Sequence, residues 1–206
     1  MKALAKYDRA FSRGRGRAAS YERWDTSSGA EATRRVESYG LFGRRTEVFY
    51  SRQIPYWHGH CNGWTAAAIR HPEPERNVTI NRVTFTPKDV KALLAEIYIY
   101  SDIDYLAGEY GLVKPHMLHI TLANWLGREK YPIAMEATPG KEKWNYPIYG
   151  FATTSAHRGE RRVEVKLNIA FSNYSNQELD KSPRLKLIKY FHYMLNLNST
   201  GEIVGG

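Results

Sequence analysis

Tyr56-Trp57-His58-Gly59-His60-Cys61-Asn62-Gly63-Trp64-Thr65-Ala66-Ala67-Ala68-Ile69 holds the single cysteine of the chain. The run Thr65 to Ile69 is small and helix-favouring, and Gly59 and Gly63 permit a tight entry. The pattern therefore predicts Cys61 at or just before the first turn of a helix. The unpaired N–H groups and positive dipole end at such a position stabilise a thiolate. A lone cysteine is most often a small buried hydrophobe. Cys61 instead sits among Trp57, His58, His60, Asn62 and Trp64, a polar and aromatic shell suited to a cleft and to a nucleophile. Pro72-Glu73-Pro74 ends the helix after about two or three turns, because proline supplies no N–H and turns the preceding residue away from helix.

Outward from this stretch, Val78 to Phe85 alternates as a strand. Thr86-Pro87-Lys88-Asp89 opens a second helix, with Thr as N-cap and Pro at the first helical position, and Val90, Leu93, Leu94 and Ile97 form its apolar stripe. Asp102, Asp104 and Glu109 follow in an acidic loop whose spacing lacks the ligand series of a calcium loop. From residue 116 the pattern becomes strand-like: 116–124, 133–138, 148–153, 162–171 and 187–197, with Val163-Val165-Leu167-Ile169-Phe171 the clearest period-2 run. Before the cysteine, Leu4, Tyr7 and Phe11 mark a short amphipathic helix. Residues 12–30 read as loop, residues 32–39 as a turn or two of helix ended by Gly40, and 46–50 as a short extended piece. The expected architecture is α+β, a helical first half against an antiparallel sheet. Residues 1–45 form a basic N-terminal arm whose helix packs on the domain, and 46–206 the catalytic domain.

The chain has 206 residues, 42% of them hydrophobic and 25% charged, enough for a real core and typical of a globular protein. Its net charge of +9 favours acidic partners. Arginines crowd the first quarter, but Arg13-Gly14-Arg15-Gly16-Arg17 has no stacking aromatic inside it, so nucleic acid is not the expected partner. No apolar run of about 18 residues is present to span a bilayer, and Met1-Lys2-Ala3-Leu4, leading into charge within a few residues, is not expected to act as a secretory signal.

A cysteine nucleophile needs a base and a group that orients it. His58 and His60 stand too close in sequence to approach the thiol easily, His71 precedes the prolines, His157 lies in a charged turn and His192 sits between aromatics. His119, on a strand where Leu118, Ile120 and Leu122 alternate around it, is the better choice. Glu136, on the neighbouring strand, is either its orienting carboxylate or a surface Glu.

The order Cys, His, acid resembles the transglutaminase-like, papain-like superfamily, in which the nucleophile opens a helix packed on an antiparallel β-sheet. More narrowly, Gly59-His60-Cys61-Asn62-Gly63-Trp64, His119 with Leu122-Ala123-Asn124, Glu136-Ala137-Thr138, and Trp144-Asn145 with Pro147 are similar to the transglutaminase elicitor family of oomycetes and its bacterial relatives. Ala5 to Phe11 and Gly201 to Gly206 extend the likeness to both ends.

The resemblance implies a protein-glutamine acyltransferase with catalytic Cys61, His119 and Glu136. Its oxyanion and substrate-binding set is Trp57, His60, Asn62, Trp64 and Asn124. The thiolate would attack a glutamine carboxamide, release ammonia and pass the acyl group from a thioester to a lysine or another primary amine. The acid position, usually Asp in transglutaminases, is here Glu136. No cofactor or metal is required, calcium is admitted, and secretion or export is expected from the likeness.

The competing readings are a cysteine protease, amidase or glutamine deamidase of the same fold, in which water is the acceptor; a zinc site from His58, His60, Cys61, His116 and His119, disfavoured because His60 and Cys61 are adjacent; and a non-enzymatic binding or elicitor protein.

Overall fold

The period-2 run builds the centre of the sheet. Val165, Leu167, Ile169 and Phe171 are buried while Lys166 and Asn168 between them face outward, as strand alternation requires. In the computed structural model, which describes residues 2–27, 33–40, 43–51, 60–108, 112–136, 143–173 and 179–206, this strand is β7 (Arg162–Ser172). It pairs antiparallel with β6 (Asn145–His157) and β8 (Lys186–Leu197), and β5 (Ile133–Glu136) and β9 (Ile203–Gly205) complete the order β5-β6-β7-β8-β9. The expected α+β class, with helices and an antiparallel sheet, is the one found.

The chain divides into two compact units, Met1–Gly59 with Pro74–Leu93, and His60–Glu73 with Leu94–Gly206. The first contains α1 (Lys2–Phe11), α2 (Arg17–Asp25), the ribbon of β1 (Thr33–Gly40) and β2 (Gly43–Tyr50), the hairpin of β3 (Val78–Ile80) and β4 (Val83–Phe85), and the start of α4 (Pro87–Ile99). Ala10, Val83 and Phe85 form its small core, with Val90 and Leu93 packed against them. As expected, α4 opens at Pro87. Asp89 reaches back to accept from the Thr86 N–H at 2.9 Å and hydroxyl at 3.1 Å, and Lys6 of α1 pairs with the same carboxylate.

Three expectations for this unit are corrected. Residues 17–25 are helix rather than loop, because the buried Asp8 carboxylate accepts from the Ala18 and Ala19 N–H groups at 2.9 and 3.0 Å and satisfies the start of α2 from another helix. Residues 33–40 are strand rather than helix, paired with 43–50 in unbroken register. Val78 to Phe85 is a hairpin rather than one strand. Asn81 and Arg82 adopt positive φ at its turn, the backbone a two-residue hairpin turn needs, and the Asn81 amide donates to the Ala10 carbonyl at 2.9 Å.

The second unit holds the large sheet, α3 (Cys61–Arg70), the end of α4, α5 (Pro115–Thr121) and a π-helical segment (Leu122–Arg128). Here the expected strand 116–124 is corrected to helix. Leu118, Leu122 and Leu126 recur every fourth residue and pack on the sheet core, whereas Ile120 is 38% exposed. No described helix is long and apolar enough to cross a membrane.

Burial raises the Asp8 carboxyl, but hydrogen bonds from Ala19, Ala18, Ser12 and Arg17 outweigh it, and the net shift is downward. A carboxyl lowered by folding adds stability above its unfolded value, and that stability is lost as pH falls through the folded value. Asp8→Asn should therefore cost about 1–3 kcal/mol in urea unfolding at pH 7, with a smaller difference from wild type at pH 3. An equal difference at both pH values would contradict this role.

Candidate active site

α3 begins at Cys61 itself, with His60 as N-cap at φ −87° and ψ 24°. The thiol, half-buried, donates to the Lys143 carbonyl at 3.7 Å, and the Asn145 amide Nδ2 donates to Sγ at 4.0 Å, the outer limit for sulfur. Asn145 opens β6 and stands opposite Glu136, the last residue of β5. Residues paired across an antiparallel ladder project from the same face, so Glu136 lies on the face that carries Asn145. Its carboxylate forms an ion pair with Lys143 at 3.2 Å and accepts from the Trp144 N–H at 3.5 Å. It thereby holds the segment whose carbonyl meets the thiol. Among the described residues, then, Cys61, Lys143, Asn145 and Glu136 converge where the β5–β6 ladder ends.

His119 is not brought to this place. It lies on α5, which packs against β8 and β9, whereas α3 packs against β5 and β6. Its Nδ1 meets the Tyr193 hydroxyl at 2.8 Å, the two rings edge to face. Tyr193 stands opposite Val165, and Ile148 opposite Phe171. Six residues of β7 and three of β6 therefore separate the levels of Tyr193 and Asn145, about 30 Å along the strands. Burial lowers the His119 imidazole below its ordinary range and pushes the Tyr193 phenol up to about 12. This pair belongs to the middle of the sheet.

The imidazole beside Cys61 in sequence is His60, whose Nε2 meets Glu96 of α4 at 2.7 Å. Asn62 and Trp64 occupy the first turn of α3, both half-buried. Asn124 lies in the π-helical segment, where its carbonyl accepts from the Glu129 N–H at 2.9 Å. Trp57 falls outside the described residues, as do His58 and Glu109.

Sequence reasoning quoted Asn145 only within the family likeness, without a role, and missed Glu96. The strand that Asn145 opens was expected to begin at Ile148. Glu96 carried no signal beyond its place on an amphipathic helix.

The seating of α3 against the end of α4 is unusually close. A Cβ built on Gly63 would lie 2.1 Å from the Ala95 carbonyl oxygen and 3.0 Å from the Ile99 nitrogen. The chain needs glycine here for proximity, its φ being ordinary. Gly63→Ala should lower stability by about 2–3 kcal/mol or more, read as a drop in thermal midpoint. An unchanged midpoint would show that the two helices part without cost.

The transglutaminase elicitor family matches this chain over residues 11–175. Among solved structures, the crystal structure of the GP42 transglutaminase from Phytophthora sojae is similar to it, with a TM-score of 0.66 and 24% identity over 98% of this chain and 69% of that one. At that identity the likeness speaks for the fold. No curated protein gives a significant match.

Proposed function

The chain belongs to the transglutaminase elicitor family, and from that premise we propose that it is a protein-glutamine acyltransferase with Cys61 as its nucleophile. The observation that carries the reading is the setting of one sulfur: Cys61 occupies the first position of α3, with an amide N–H of Asn145 directed at it. A helix N-terminus and an amide aimed at the sulfur are two supports that a sulfur nucleophile uses beside its base.

In this reading the thiolate attacks the carboxamide carbon of a glutamine side chain. The C–S bond forms, the carbonyl oxygen takes the negative charge, and the Cys61 N–H and the Asn145 amide are its donors. Collapse breaks the C–N bond, and ammonia leaves with the proton that the base took from the Cys61 thiol. The amine of a lysine then attacks the thioester carbonyl, gives up a proton and expels the thiolate as the new amide forms.

The base role assigned to His119 from sequence passes to His60. Its N-cap backbone lies outside the helix, so adjacency to Cys61 is less of an obstacle than the sequence suggests. The contact of Nε2 with Glu96 is of the kind that fixes an imidazole tautomer and supports its protonated form. Glu136 keeps a structural share in the site, holding Lys143, whose carbonyl meets the sulfur, and Trp144, which precedes Asn145.

The test follows ammonia release from a glutamine peptide and incorporation of a labelled primary amine in one reaction. Cys61→Ala should abolish both. His60→Gln should slow both by about a hundredfold or more, while His119→Gln should leave kcat within about threefold of wild type. Ammonia without amine incorporation would make the protein a deamidase or another amidase. Loss of activity in His119→Gln with His60→Gln intact would return the base role to His119.

A further inference from the structure

One polar side chain beside the site has no part in the chemistry above. Thr65 lies one helical turn beyond Cys61 on α3, and it is fully buried, at 0% exposure. Its hydroxyl donates to the main-chain carbonyl of Asn145 at 2.9 Å. A buried hydroxyl without a partner costs stability, so this bond satisfies two groups at once. Its place matters more than its strength. Asn145 is the first residue of β6 and the last to pair with β5, and its side chain is the one that reaches the Cys61 sulfur. The end of a ladder is where strand pairing holds the main chain least firmly.

We propose that Thr65 is a positioning residue whose hydroxyl clamps the main chain of Asn145 against α3 and so keeps the Asn145 amide at the sulfur of Cys61. Residues at i and i+4 share a helix face, so the clamp and the nucleophile look toward the same strand. Among the described residues, the charged and titratable groups of the site are Lys143, whose carbonyl meets the sulfur, Glu136 of β5 paired with it, and His60 next to Cys61 with its partner Glu96 of α4. None of them touches the Thr65 hydroxyl directly, which separates the clamp from their ionisation. The inference rests on the reading of Cys61 as the acyl-carrying thiol.

Because the chain has one cysteine, iodoacetamide reports on Cys61 alone. The experiment uses the full chain and measures the alkylation rate together with kcat and KM for ammonia release from a glutamine peptide. Thr65→Val keeps the side-chain shape and removes the hydroxyl. It should slow alkylation severalfold and lower kcat about tenfold, the worth of one hydrogen bond, with KM within about twofold. Thr65→Ser keeps the hydroxyl and should restore both rates. In an Asn145→Ala background, Thr65→Val should add no further loss of kcat.

The proposal is overturned if Thr65→Val alkylates and turns over like wild type, if Thr65→Ser is impaired equally, or if the two losses add. Should Thr65→Val not fold, Thr65→Ala removes the same hydroxyl, and a normal kcat in that variant overturns the proposal equally. Wild-type protein that alkylates readily but releases no ammonia would sink the acyltransferase reading, and the alkylation comparison would still decide the role of Thr65.

Discussion

The main chain of α3 approaches that of α4 so closely at Gly63 that no side chain fits between them. That contact fixes the direction of the helix, and with it the direction of the N–H groups at its start. The fully buried residues of α3 are Gly63, Thr65 and Ala67, so its buried face is made of small side chains and main chain. Small residues make such a helix stiffly held and poorly adjustable, since no long side chain can change rotamer to absorb a shift. The thiol inherits this rigidity. Its geometry is set by the seating of the whole helix, from the α4 side by Gly63 and from the β6 side by Thr65.

The core that stabilises the second unit and the place where chemistry is proposed are kept apart. Leu122 of the π-helical segment and Ile148, Val165, Leu167 and Ile169 of the sheet are almost completely buried in one core, and every one is aliphatic. Cys61, Glu136 and Asn145 sit where the β5–β6 ladder runs out. An amide and a carboxylate there need not be dehydrated as they would be over Leu167, yet the strands behind them are anchored by the core. The bulge between Ile148 and Gly150 falls just inside this end and shifts the register of β6 against β7 there.

Elements governed by local pattern were legible in the sequence. The Thr86 cap with Asp89, the period of β7 and the start of α3 at Cys61 each depend on residues within about four positions of one another. What escaped depended on distant partners. Nothing near Arg17 announces a helix, because the carboxylate that satisfies its first N–H groups belongs to Asp8. Residues 116–124 misled for a different reason: Leu118, Ile120 and Leu122 alternate while Leu118, Leu122 and Leu126 recur at helical spacing. Both periods are present in the same letters. Pro115, at the first position of α5, was the local sign favouring the helix.

That misreading carried the proposed base with it. On a strand, His119 would have stood near Glu136 in an adjacent strand; on a helix over β8 and β9 it meets Tyr193. The order Cys, His, acid along a chain therefore constrains the partners of a nucleophile weakly, because a folded sheet can place two residues of the right kinds at opposite levels. Burial favours a neutral imidazole at His119, and its Nδ1 meets the phenol hydroxyl of Tyr193. The surroundings of Cys61 ask for different things: donors aimed at sulfur, a fixed helix start and an imidazole steadied by a carboxylate. In the proposed reading His60 with Glu96 supplies the last of these from one residue away, and Asn145, hydrogen-bonded through its carbonyl to Thr65, supplies the first.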